Sequence, residues 1–266
     1  MKKVSVCIYL NKDYGGTIYS FEKCGFDRIK KESDFVIEDT PIEYLNVIDG
    51  IEIELLVAYT KDTDNRLIDY FNAISDRMIE VTNDDKYNDV VSDAMAYNRL
   101  FLKANCDFIC ILKPYVFLAN NWLVELMFYH ETINNSGVIS ICSKLSNLDY
   151  LPLPTKEIES LQRIFIPKDN LVNPNGICFF LRQHLFLVGA FDESVKFIQG
   201  DEINQFQIRS TNNWLYNYYI PTQSCIVIQA QNNIDYMYIS ESKQNIERTI
   251  NDMKKAKNYY IPLNIS

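Results

Sequence analysis

The chain has 266 residues, of which 47% are hydrophobic and 23% charged, and its net charge is −9. That length fits one large α/β domain, and the apolar fraction excludes a disordered chain. The negative balance excludes a nucleic-acid surface, which needs clustered Lys and Arg to neutralise phosphates, and disfavours anionic lipid.

Residues 4–10 are β-branched and apolar and predict a first buried strand. Gly15 and Gly16 follow as a turn, since neither a Gly-x-Gly-x-x-Gly pattern nor a following Lys-Ser/Thr is there to cradle phosphate. Residues 51–59, IEIELLVAY, predict a second strand that ends inside a sheet. Asp62 or Thr63 then caps a helix with Leu67, Ile68, Phe71 and Ile74 on one face. A short strand at 78–81 and a helix over 89–104, with Ala94, Tyr97 and Phe101 on one side, come next. DFICIL at 107–112 is the clearest buried strand; Asn121-Trp122-Leu123 opens a further helix, and 138–142 is another strand. Residues 148–173 read as an irregular insertion on the side of an acceptor cleft. The apolar run 177–181 is a buried strand, followed by Gly189-Ala190-Phe191-Asp192-Glu193, then Gly200-Asp201-Glu202 at the start of a helix over 202–209. A strand at 224–228 and a helical tail over 240–257 complete the chain. Ile246, Ile250 and Met253 of that tail are spaced to pack back on the domain or on a protein partner.

The seven cysteines sit mostly inside apolar runs without paired spacing, which points to free thiols in a reducing compartment, the cytoplasm. No zinc site is expected, because Cys106 and Cys110 have only His130 and His184 to complete one. The start MKKVSVCIYL lacks a small-residue cleavage site, and no apolar run has the length of a membrane span.

The order of the Phe-Asp-Glu turn, the loop and the acidic pair at Asp201 resembles the acceptor-side half of inverting, family 2-like glycosyltransferases of the GT-A fold. The resemblance runs from Val4 to about Asn233. It implies an α/β, GT-A-like (nucleotide-diphospho-sugar transferase) single domain, a mostly parallel central sheet flanked by helices. Residues 1–120 would be the nucleotide-binding half, 121–239 the acceptor-side half and 240–266 a helical tail. It further implies Asp201 as general base with Glu202 beside it, and Phe191, Asp192 and Glu193 on the acceptor side. Asp62 and Asn98, the latter in AYNRLFLKA, would approach the donor, a nucleotide sugar; the acceptor would be a glycan or protein hydroxyl. The sequence departs from the family where that family has its Asp-X-Asp metal motif, since Lys113 and Tyr115 stand there. Gln229 or Gln231 also replaces a downstream metal-binding His, and Ala58 and Tyr59 replace the residues at the end of the second strand. No metal is therefore expected. A lysine ammonium could meet the diphosphate as a point charge in place of the ion, so Lys113 and Tyr115 join the donor-side candidates. The alternative is a catalytically silent relative that keeps the fold as a binding or assembly module.

Overall fold

The computed structural model describes residues 2–10, 50–82, 91–113, 116–118, 122–141, 177–193, 201–220, 225–227 and 262–263. Strand β1 (Lys2–Leu10) lies inside a seven-stranded sheet, parallel to β2 (Ile51–Tyr59) on one side and to β4 (Phe108–Leu112) on the other. Beyond β2, the parallel strand β3 (Arg77–Glu80) forms one edge. Beyond β4, β7 (Ile177–Leu181) runs antiparallel, then β6 (Ser136–Ile141) antiparallel to β7, and β8 (Tyr216–Ile220) parallel to β6 at the other edge. A separate antiparallel pair joins β5 (Val116–Leu118) to β9 (Cys225–Val227).

Strands covered on both faces need no alternation, which is why β1 and β4 read as continuous apolar runs. Their side chains nevertheless divide by parity. Val4, Val6, Ile8 and Leu10 of β1, with Phe108, Cys110 and Leu112 of β4, pack under helices α1 (Asn65–Ile74) and α3 (Trp122–Thr132). Cys7, Tyr9, Ile109 and Ile111 point to the opposite face, under α2 (Asp93–Lys103), α4 (His184–Val188) and α5 (Asp201–Asn212). Lys113, the residue after β4, follows Ile109 and Ile111 in that alternation. Trp122 belongs to the other face, with Leu112.

The helix after β2 is capped by Asp64, whose carboxylate accepts from the Arg66 N–H at 2.8 Å. Thr63 instead ties the loop to β1: its hydroxyl donates to the Leu10 carbonyl at 2.6 Å and accepts from the Thr60 N–H at 3.0 Å. Helix α2 begins at Asp93, capped by Ser92, later than the sequence suggested. Helix α5 runs past Arg209 to Asn212 and stops where Trp214 takes a positive φ of 61°. There the Trp214 N–H returns to Thr211 O and the Leu215 N–H to Ser210 O, the hydrogen bonds of a Schellman stop with tryptophan in the usual glycine place. The insertion at 148–173, Gln229, Gln231 and the tail over 240–257 lie outside the described residues.

Two features of the sheet generate predictions. The register of β6 with β8 breaks between Ser136 and Ile139, and the buried Asn217 carboxamide fills the break by accepting from the Val138 N–H at 2.9 Å. A Cβ on Gly137 would lie 2.8 Å from Asn217 Oδ1 and 3.1 Å from the Tyr216 carbonyl. Gly137→Ala is therefore expected to destabilise the chain by about 1–3 kcal/mol, read from a lower denaturation midpoint at unchanged slope. The second feature is the histidine pair. His184 is 2% exposed with no hydrogen-bond partner on Nδ1, and His130 is stacked edge-on against Phe108 and Phe179. Burial pulls both down to about 4. The unfolded chain binds protons on these rings from about pH 6.5 downwards, while the folded chain resists until about 4. Stability is complete above the unfolded value and is lost as pH falls through that window, by about 3 kcal/mol for a fully buried ring. The melting midpoint should fall between pH 6.5 and 4, and His184→Met should flatten that slope.

Candidate functional site

The carboxyl ends of β1 and β4 mark the point where the chain, having laid β2 and β3 to one side of β1, crosses to the other. Open α/β sheets bind ligands outside such a switch point. The N-terminal ends of α2 and α5 meet the chain just past β4, and each brings a carboxylate to Lys113.

The Lys113 ammonium lies 2.9 Å from Asp93 Oδ2 and 3.3 Å from Glu202 Oε1. The Lys113 and Glu202 side chains are 2% and 1% exposed, and Asp93 is 14% exposed. The Tyr97 ring adds its face, with its centroid 4.9 Å from the same nitrogen. Asp93 is the first residue of α2, and Glu202 the second of α5, so both carboxylates also sit at the partial positive ends of helices. Burial pushes the Glu202 carboxyl up, against the downward pull of the Lys113 ammonium. Asp201 opens α5, immediately before Glu202.

Asn98 works on the same helix. Its carboxamide donates to the Phe191 carbonyl at 2.9 Å and accepts from the Phe191 N–H at 3.0 Å. The same Nδ2 donates to Glu193 Oε1 at 2.8 Å. Asn98 thus fixes the Phe-Asp-Glu turn to α2, with Phe191 and Asp192 buried beside it. Arg209 holds the turn from α5: its guanidinium, 1% exposed, donates to Val188 O at 3.1 Å and Ala190 O at 2.6 Å.

The structure thus brings Lys113 and Glu202 into contact and joins Asn98 to Phe191 and Glu193. Asp62 is exposed in the turn between β2 and α1, and Tyr115 lies outside the described residues. Sequence reasoning missed Asp93, although a Ser-Asp helix start offered a capping residue followed by a carboxylate. It also missed Arg209 as a tie, for which a lone cation among apolar positions late in a helix was the available signal.

Comparison with protein-family models gives no match, and comparison with curated protein sequences gives none either. Solved structures do match. TarS of S. aureus (residues 1–349), in complex with UDP-GlcNAc, superposes with a TM-score of 0.58 at 13% identity, over 94% of this chain and 65% of that one. Mannosyltransferase PcManGT from Pyrobaculum calidifontis, in complex with GDP-Man and Mn2+, gives 0.58 at 12% identity, over 97% and 65%. Glucosyl-3-phosphoglycerate synthase from Mycobacterium tuberculosis, with Mn2+, UDP and phosphoglyceric acid, gives 0.55 at 12% identity, over 94% and 78%. The chain therefore spans about two thirds of the length of the first two.

The described residues do not fit a divalent ion of the kind held by the second and third of these complexes. Such an ion wants several oxygen ligands, whereas at the end of β4 a lysine ammonium already draws the two carboxylates together. Among the described residues, no three His, Cys, Asp or Glu side chains converge to hold a metal.

The ion pairs give a stability prediction. Lys113→Met leaves two carboxylates without this cation and should cost about 3–5 kcal/mol, whereas Lys113→Met with Glu202→Gln should recover part of that loss. Chemical denaturation of the variants measures both.

With its seven-stranded mixed sheet, its helices on both faces and its likeness to these three structures over nearly the whole chain, this protein has a GT-A-like fold.

Proposed function

We propose that this chain transfers a sugar from a nucleotide sugar to an acceptor hydroxyl with inversion at the anomeric carbon. The observation that carries the reading is the placement of the α5 N-terminus, with Asp201 and Glu202, beside Lys113 at the carboxyl end of β4. The matching structures with UDP-GlcNAc and GDP-Man make a uridine or guanosine diphosphate sugar the donor class to test.

In this reading Asp201 takes the proton from the acceptor hydroxyl as its oxygen attacks the anomeric carbon, and the bond to the nucleoside diphosphate breaks with its electrons on the departing oxygen. Glu202 supports Asp201 by tying the start of α5 to Lys113. Phe191, Asp192 and Glu193 shape the acceptor side for a glycan or protein hydroxyl. Asp62, Asn98 and Tyr115 remain the donor-side candidates of this reading, although the Asn98 carboxamide is engaged by the Phe-Asp-Glu turn. The transfer proceeds without a divalent ion at Lys113. On the reading that thiols buried in apolar runs belong to a reducing compartment, we place the chain in the cytoplasm. Among the described residues no helix is long and apolar enough to cross a membrane.

One observation favours a second reading, a catalytically silent binding module. Lys113 is 2% exposed and engaged by Asp93 and Glu202, so its charge is already answered inside the protein.

Turnover of a panel of UDP- and GDP-sugars, followed by release of the nucleoside diphosphate, separates the two. We expect one donor to be consumed, and Asp201→Asn to lower the rate at least about 100-fold while donor binding by calorimetry is retained. Absence of binding by every donor would establish the silent module instead.

A further inference from the structure

Asp93 and Glu202 belong to helices far apart in the chain, and each reaches one nitrogen that arrives on a third element. A carboxylate as deeply buried as that of Glu202 is costly unless a cation answers it. We infer that Asp93 and Glu202 form a built cation cradle between the N-termini of α2 and α5, filled by the protein's own Lys113 ammonium. Removing that side chain then opens the cradle to an external cation.

Three observations support this. Lys113 and Glu202 are essentially inaccessible, so the ammonium acts as an internal counter-ion and not as a surface charge. The Tyr97 face closes the site on a further side and suits a compact cation without demanding a particular one. The ligand atoms are carboxylate oxygens, the type a hard divalent ion takes, and water can complete its shell once the lysine side chain is gone. The inference stands on this ion geometry alone, and a chain that transfers no sugar would still obey it.

Thermal unfolding of the full chain tests it, with wild type, Lys113→Ala and Lys113→Ala/Glu202→Gln each measured in chelator, in millimolar MnCl2, and in ethylammonium chloride against sodium chloride of equal ionic strength. Wild type should shift by less than about 1 °C in any of these. Lys113→Ala should gain about 3 °C or more with Mn2+ and with ethylammonium, because a ligand of the folded state alone raises the midpoint. The double variant should lose that gain. A wild-type rise with Mn2+ as large as that of the variant would overturn the inference, as would a Lys113→Ala chain indifferent to both cations. Asp93→Asn, which keeps the lysine and one carboxylate, guards against a Lys113→Ala chain that does not fold. It should remain folded and unresponsive to Mn2+, and a response there also overturns the inference.

Discussion

A single ammonium group, that of Lys113, decides how three elements of this fold meet. It takes up the carboxylate of Asp93 at the start of α2 and that of Glu202 at the start of α5, under the face of Tyr97. Its own place is set by β4, whose five residues are buried and whose alternation delivers the next side chain to the α2 and α5 face of the sheet. A buried ion group of this kind adds little net stability, because desolvation offsets the attraction, but it penalises every arrangement in which one member is missing. The two helix ends are thereby held to one relative position.

The sheet supplies the rigid support. Its parallel half, β3-β2-β1-β4, is continued by β7 running the other way, so that β7, β6 and β8 extend the same sheet. Aromatic rings fill the junction: Phe101 meets Phe180 and Phe191, and Phe206 meets Phe180 and Phe191, all in edge-on or tilted pairs. The candidate base at the start of α5 is thus carried by a helix anchored at Phe206 and again at Arg209.

Much of this was legible in the residues, and the remainder failed for identifiable reasons. Continuous apolar runs revealed β1, β2, β4 and β7, because strands covered on both sides cannot be polar on either. The Gly-Asp-Glu start of α5 was legible because carboxylates suit the unpaired N–H groups there. Helix α4 was not, since the five residues HLFLV carry no period long enough to distinguish a helix from a strand continuation. Strand β8 escaped because Asn217, polar in sequence, is wholly buried as the plug of an irregular register. The partners of Lys113 were invisible for a different reason: they lie 20 and 89 residues away, and no local pattern carries such a pairing. The residue type announced a cation at the end of a buried strand, but only the fold revealed that the protein supplies the answering charges itself.

The Asn98 carboxamide has a wider meaning for how this molecule moves. By offering Phe191 both a donor and an acceptor, it copies the peptide group of a neighbouring strand. An α-helix is thereby stitched to a loop as though the two were adjacent ribbons of one sheet. The join between α2 and the segment after β7 is consequently no mechanical seam. Whatever the chain binds on either side, α2 and the Phe-Asp-Glu turn will respond as one rigid lever.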